Sequence, residues 1–355
     1  MKRIIAFLLV AFMTMGVIGC KKTSQPSGNT SSDASSSAQS SSSNGQSTTS
    51  STPQKSEVEL LPGKVINSFQ YGTDKVVVCF GDSITWGWNS PGRYVYPSQL
   101  EANLDGQYKV INAGIAGEKT AAIASRANAI DFCLTNDVVF AKGVAKVSLD
   151  RELFSTADGE VIQYLGFGYE LPHDTIIIEG KTYKIEYEKG EEYQHGIYTI
   201  VRSDTSTALT LKKGTPVKYD YSSQFKECHV AIFLSGANDA DSGSDKLIAR
   251  YKKFAETYDK YIIIAPFFYD DHTAKFEEEF GDHVINPRKY AYERHAFTDY
   301  GLTPTKLDEW CIKKGRMPAT FLLGNNKDEM HLSSWGYKLV ADMVYKKGVE
   351  LGYWK

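Results

Sequence analysis

Val76-Val77-Val78-Cys79-Phe80-Gly81-Asp82-Ser83-Ile84-Thr85 is the stretch that decides the fold. Five apolar residues, three of them β-branched, run without alternation into a glycine and an aspartate. That is the pattern of a strand buried on both faces and ended by a sharp turn. A serine just past such a turn projects its hydroxyl from the edge of a sheet. Comparable runs occupy 108–112, 230–234 and 261–265, and stretches with apolar residues at three- and four-residue spacing lie at 97–104, 245–258 and 333–351. In the last stretch Leu339, Val340, Met343, Val344 and Val349 are expected to face the core. Strands alternating with helices imply an α/β fold, a parallel central sheet covered on both faces with functional residues at the carboxyl ends of its strands.

Residues 134–225 break this alternation. Short runs at 138–147, 175–178, 182–187, 197–202, 208–211 and 217–221 are separated by turn residues such as Gly180, Gly190 and Gly214. Tyr183, Ile185 and Tyr187 alternate with Lys184 and Glu186, which predicts strands with one wet face. This segment reads as an all-β subdomain inserted into the α/β domain, either shaping a substrate cleft or docking a partner.

The chain has 355 residues, 42% of them hydrophobic, enough for a full core. Its formal net charge of -3 offers no basic field for a phosphate backbone, which argues against nucleic-acid binding. Lys2 and Arg3 precede an apolar stretch to Ile18, too short for a comfortable membrane span, so residues 1–20 read as a targeting segment. Residues 21–58 begin with a long tract dominated by Ser, Thr, Gln, Asn and Gly that buries nothing to offset the entropy of ordering, and they read as a tether. The hydrolytic candidate region is then 59–133 joined to 226–355. Of the remaining cysteines, Cys79 sits in an apolar strand, and Cys133 and Cys228 bracket the insertion, where a disulfide could pin its ends.

Four separated segments carry chemistry: 81–85, Asn112-Ala113-Gly114-Ile115-Ala116-Gly117, Gly236-Ala237-Asn238-Asp239 and Asp328-Glu329-Met330-His331. A serine hydroxyl needs a base to become nucleophilic, and the usual one is histidine, with an ordinary pKa of about 6.5. His331 is the candidate base, and Asp328, three residues earlier, could fix its tautomer. Acyl transfer also requires donors set in advance around an oxyanion. The backbone N–H groups of Ser83 and Gly117 and the carboxamide of Asn238 suit that task.

In content and order these segments resemble the four blocks of the SGNH, or GDSL, hydrolase family of serine esterases and lipases. Leu332-Ser333-Ser334-Trp335-Gly336-Tyr337 resembles that family's continuation into its last helix, and Val17-Ile18-Gly19-Cys20 resembles the lipobox of bacterial lipoproteins. The first resemblance spans 76–351 apart from the insertion. It implies a three-layer α/β/α sandwich of flavodoxin-like type, catalytic Ser83, Asp328 and His331, an oxyanion hole from Ser83, Gly117 and Asn238, and no cofactor. The second implies a lipidated Cys20 that holds the chain to the outer side of a cytoplasmic membrane.

Competing motifs are incomplete. Gly114-Ile115-Ala116-Gly117 lacks the full dinucleotide glycine pattern, and His173, His195, His229, His272, His283 and His295 show no metal-ligand spacing. Asp82 adjoins the candidate nucleophile, and Trp86, Trp88 and Phe267 could stack on a sugar ring, so these four are candidate substrate contacts; for the aromatics, wall or core packing is the alternative. Two functions follow. One is an extracytoplasmic esterase for short-chain acyl or O-acetyl glycan esters, with lipid esters as rival substrates. The other is a surface lipoprotein that binds glycan or a partner and retains a vestigial site.

Overall fold

The computed structural model describes residues 75–354 except 91–93, 150–152, 163–174, 189–196, 221–224, 226, 240–242, 269–272, 325–327 and 329. The leader, Cys20, the tether, His173, His195 and His272 lie outside these residues. Strand β1 (Val76–Gly81) leads into a one-turn helix α1 (Ser83–Trp86), then α2 (Tyr96–Asn103), β2 (Lys109–Gly114) and α3 (Thr120–Arg126). Next come β3 (Phe132–Leu134), β4 (Val138–Phe140), β5 (Lys146–Leu149), β6 (Phe154–Thr156), β7 (Val161–Ile162), β8 (Thr175–Ile178), β9 (Lys181–Glu188), β10 (Ile197–Val201), β11 (Leu209–Leu211) and β12 (Pro216–Tyr219). The α/β pattern then resumes with β13 (Val230–Leu234), α4 (Ser244–Thr257), β14 (Tyr261–Ile264), α5 (Thr273–Phe280) and β15 (Val284–Ile285). Short helices α6 (Pro287–Ala291), α7 (His295–Thr298) and α8 (Lys306–Lys313) precede the long α9 (Ser334–Glu350).

The first sheet is parallel, in the order β2-β1-β13-β14-β15, the doubly wound order with a switch point beside β1. Period two sorts its side chains. Val76, Val78, Phe80, Ala231 and Phe233 face one apolar layer with α4, while Val77, Cys79, Val230, Ile232 and Leu234 face another with α2 and α9. Because both faces are covered, the strands carry no polar alternation. Gly81 is in register with Gly114 on one side and Leu234 on the other, so three loops leave the sheet at one level.

The second sheet has eight strands in the order β5-β10-β9-β8-β12-β3-β6-β7, every pair antiparallel, with a β4–β11 ribbon beside it. Tyr183 and Ile185 are buried, as their alternation predicts. The sheet's apolar face and the first sheet's core belong to one cluster, in which Phe225, at the end of the insertion, meets Phe80 edge-on at 5.7 Å.

Some expectations are corrected. The 138–147 run is two strands, because the chain turns at Gly143 and crosses from the ribbon to the larger sheet. Val349 is exposed rather than core: Gly348 faces inward against the Trp354 indole, which leaves the next residue about 100° further round the helix. Cys133 and Cys228 are thiols and form no bridge; Cys133 lies beside the Ser155 hydroxyl on β6, and burial pushes the Cys228 thiol up to about 12.

Candidate active site

Asp82 caps α1, its Oδ1 accepting the Ile84 N–H at 2.9 Å, which satisfies an otherwise unpartnered helix-start donor and aims residue 83 off the end of β1. The turn closes after one round, with Gly87 donating to the Ser83 carbonyl at 2.9 Å. Asn112 at the end of β2 stitches that strand to the same turn: Nδ2 donates to the Thr85 carbonyl at 2.9 Å, and Oδ1 accepts from Gly114 at 3.0 Å.

Residue 331 arrives from the far end of the chain on a segment pinned from both sides. Leu323 donates to the His331 carbonyl at 2.8 Å, Ser333 donates to Phe321 at 3.0 Å, and the Ser333 hydroxyl caps α9 through Gly336. Asp328 holds the ring. Its Oδ1 accepts the N–H groups of Met330 and His331 at 3.0 and 2.9 Å, and its Oδ2 lies 2.7 Å from His331 Nδ1. Burial works to raise the Asp328 carboxyl, but the amides of His331 and Met330 and the imidazole together hold it below its ordinary range. An ionised carboxylate only accepts, so Nδ1 carries the proton and Nε2 presents a lone pair. Ser83 Oγ donates to that lone pair at 2.9 Å. Thus hydroxyl, imidazole and carboxylate form one continuous relay.

The candidate oxyanion donors outside the serine turn sit on the two neighbouring loops. Gly117 has φ +82°, a left-handed conformation that favours glycine, and the amides of Ser83 and Gly117 donate to no other group among the described residues. Asn238 Nδ2 donates to the Glu118 carbonyl at 2.9 Å, which ties the β13 loop to the β2 loop. Asp239 ties them again, its Oδ2 accepting Thr120 N at 2.9 Å and Thr120 Oγ1 at 2.7 Å.

Beneath these loops lies a buried ion pair that sequence reading missed. Arg126, 1% exposed, reaches Glu118 Oε2 at 2.6 Å and the Ala113 carbonyl at 2.9 Å. The available signal was a lone arginine directly after the uncharged run Thr120–Ser125, eight residues past a glutamate. Burial pushes Glu118 up while the guanidinium pulls it down, and burial likewise pushes Asp82 up to about 7 against the amides of Ile84 and Ala237.

The candidate substrate contacts divide. Trp88 is 40% exposed beside Trp86, ring centroids 5.5 Å apart, just past the serine. Phe267 is 2% exposed and packs in the core with Phe268, so it offers no ring to a ligand. Asp82 is wholly buried and serves as a helix cap, which removes it from any substrate surface.

The sequence matches no family model and no curated protein. Among solved structures it is similar to a protein assigned to a lipolytic G-D-S-L family, from Desulfitobacterium hafniense DCB-2, at 11% identity and a TM-score of 0.38, covering 77% of this chain and 99% of that one. It is also similar to a carbohydrate acetylesterase family member from Sinorhizobium meliloti at 14% identity and a TM-score of 0.32, covering 78% and 99%. Likenesses this distant add no weight, and the reading of the site rests on the geometry of this chain's own side chains.

Proposed function

We propose that the chain is a serine esterase of the SGNH type that cleaves short-chain carboxylic esters through an acyl-enzyme. The observation that carries this is the relay Ser83 Oγ to His331 Nε2 at 2.9 Å and His331 Nδ1 to Asp328 Oδ2 at 2.7 Å, joining residues 248 positions apart. His331 takes the hydroxyl proton as Oγ attacks the acyl carbon. The carbonyl oxygen becomes an oxyanion facing the amides of Ser83 and Gly117 and the Asn238 carboxamide. Collapse expels the alcohol, protonated by the imidazolium. Water, deprotonated by the same ring, then releases the acid and restores Ser83.

In this reading the substrate is an acylated glycan, Trp86 and Trp88 border the glycan that leaves as the alcohol, and the lipobox-like Cys20 holds the enzyme to the outer side of the cytoplasmic membrane. Their support is the exposed indole and the leader sequence. The test is hydrolysis of nitrophenyl acetate, butyrate and palmitate by the purified chain. Ser83→Ala and His331→Ala should each lower turnover at least ~10³-fold. Unchanged turnover in either variant refutes the reading, and a preference for palmitate at micelles would replace the glycan substrate by lipid.

A further inference from the structure

We propose that Glu160, in the turn between β6 and β7 of the inserted sheet, is a positioning residue for the oxyanion-binding loops, acting through Arg250 and Asp239. This rests on the esterase reading and assigns the insertion a part in it.

Arg250 projects from α4 and is only 6% exposed at its side chain. Its guanidinium forks: Nη1 donates to Asp239 Oδ1 at 2.9 Å, and Nη2 donates to Glu160 Oε2. Asp239 directly follows Asn238. Its other oxygen takes both donors of Thr120, three residues past Gly117, and the Ser235 hydroxyl closes the group on Thr120 Oγ1 at 2.9 Å. One carboxylate therefore sets the spacing of both oxyanion loops, and the guanidinium sets the angle of that carboxylate.

Glu160 is in turn held by its own hairpin. Its N–H donates to Thr156 Oγ1 at 3.0 Å, its carbonyl accepts from Thr156 N at 2.8 Å, and Lys246 Nζ approaches its carboxylate at 2.9 Å. Two carboxylates share one fork, so each limits how the other is bound. Without the charge at residue 160, Arg250 can turn both amines onto Asp239, the preferred bidentate arrangement. That rotation draws Oδ2 away from Thr120 and loosens the loops that carry Gly117 and Asn238. Oxyanion donors act within a few tenths of an ångström and mainly in the transition state, so the loss should fall on kcat.

The experiment measures kcat and KM for nitrophenyl acetate in the full chain, with thermal unfolding in parallel, for Glu160→Gln, Arg250→Lys, Asn238→Ala and the double variant Glu160→Gln/Asn238→Ala. Glu160→Gln and Arg250→Lys should each lower kcat about tenfold with KM within twofold. In the Asn238→Ala background, Glu160→Gln should lower kcat by clearly less than in the wild type, because one of the two donors it positions is already gone. A merely structural role would give the same loss in both backgrounds. If Ser83-dependent turnover is equal in wild type and in both single ion-pair variants, if only KM moves, or if the losses are additive with Asn238→Ala, the inference is overturned while the esterase reading stands. Turnover that survives Ser83→Ala overturns both.

Discussion

Replacing Asp328 by Asn changes one atom and should reverse the direction in which the relay passes a proton. Oδ1 of Asp328 is engaged by two backbone N–H groups, so the amide oxygen of an asparagine is held at that position. Its NH₂ then falls where Oδ2 stood, 2.7 Å from His331 Nδ1. Two donors cannot face each other there, so the imidazole moves its proton to Nε2 and accepts at Nδ1. Nε2 now donates toward Ser83 Oγ and cannot receive its proton. The expected loss in kcat is ~10⁴-fold, about 5.5 kcal/mol of transition-state stabilisation, as for the same exchange in other triads. Stability should change by less than about 1 kcal/mol, since the oxygen that accepts from both backbone N–H groups persists. Asp328→Ala, though the larger deletion, leaves the tautomer free and should retain at least as much activity as Asn. Esterase kinetics on both variants, with urea unfolding alongside, test this. An Asn variant within tenfold of wild type, or clearly more active than Ala, would refute the tautomer argument.

Three further outcomes are expected. Glu118→Ala strands the Arg126 guanidinium, 1% exposed, and should cost about 3–5 kcal/mol in urea denaturation, where a surface-like loss under 1 kcal/mol would contradict the burial of the pair. A methyl on residue 114 would stand 2.3 Å from Trp86 N and 2.8 Å from the Thr85 carbonyl carbon, both backbone, so Gly114→Ala should shift the serine turn and lower kcat ~10²-fold, read together with Tm. Asp82 holds its proton to about 7 in the folded chain against an ordinary 3.8, so its contribution is complete below about pH 4 and is lost as pH rises through about 7. Asp82→Asn should therefore remove up to about 4 kcal/mol of the alkaline fall in stability between pH 4 and 8, and wild-type and variant profiles that run parallel would show that this carboxyl does not titrate there.

Much of the α/β frame was readable because parallel strands covered on both faces must be continuously apolar, as β1, β13 and β14 are, while the edge strand β2 keeps an apolar core interrupted by Lys109 and Asn112. The candidate site was readable because each of its residues lies within a few positions of a strand end or helix start, so short motifs mark Ser83, Gly117, Asn238 and His331, and Ser83, Asp328 and His331 do meet. What stayed hidden depends on distant pairing. Glu160 and Arg250 are 90 residues apart, and neither carries a local signature of the other. Strands of two or three residues, such as β7 and β15, are too short to show a period. Phe267 misled because a strand's end opens either toward the cleft or back under the sheet, and its ring takes the second course.

The seamless apolar layer between the inserted strands and the α3–α4 side of the parallel sheet restricts how this architecture can be remodelled. Phe132, Tyr219 and Phe225 belong to the same buried cluster as Phe80, Ala231 and Phe233 of the parallel sheet, so excising 134–225 would strip a wall from it and invite aggregation. New material is better spliced at the distal margin, around β5 and β10, whose neighbours all belong to the appended sheet.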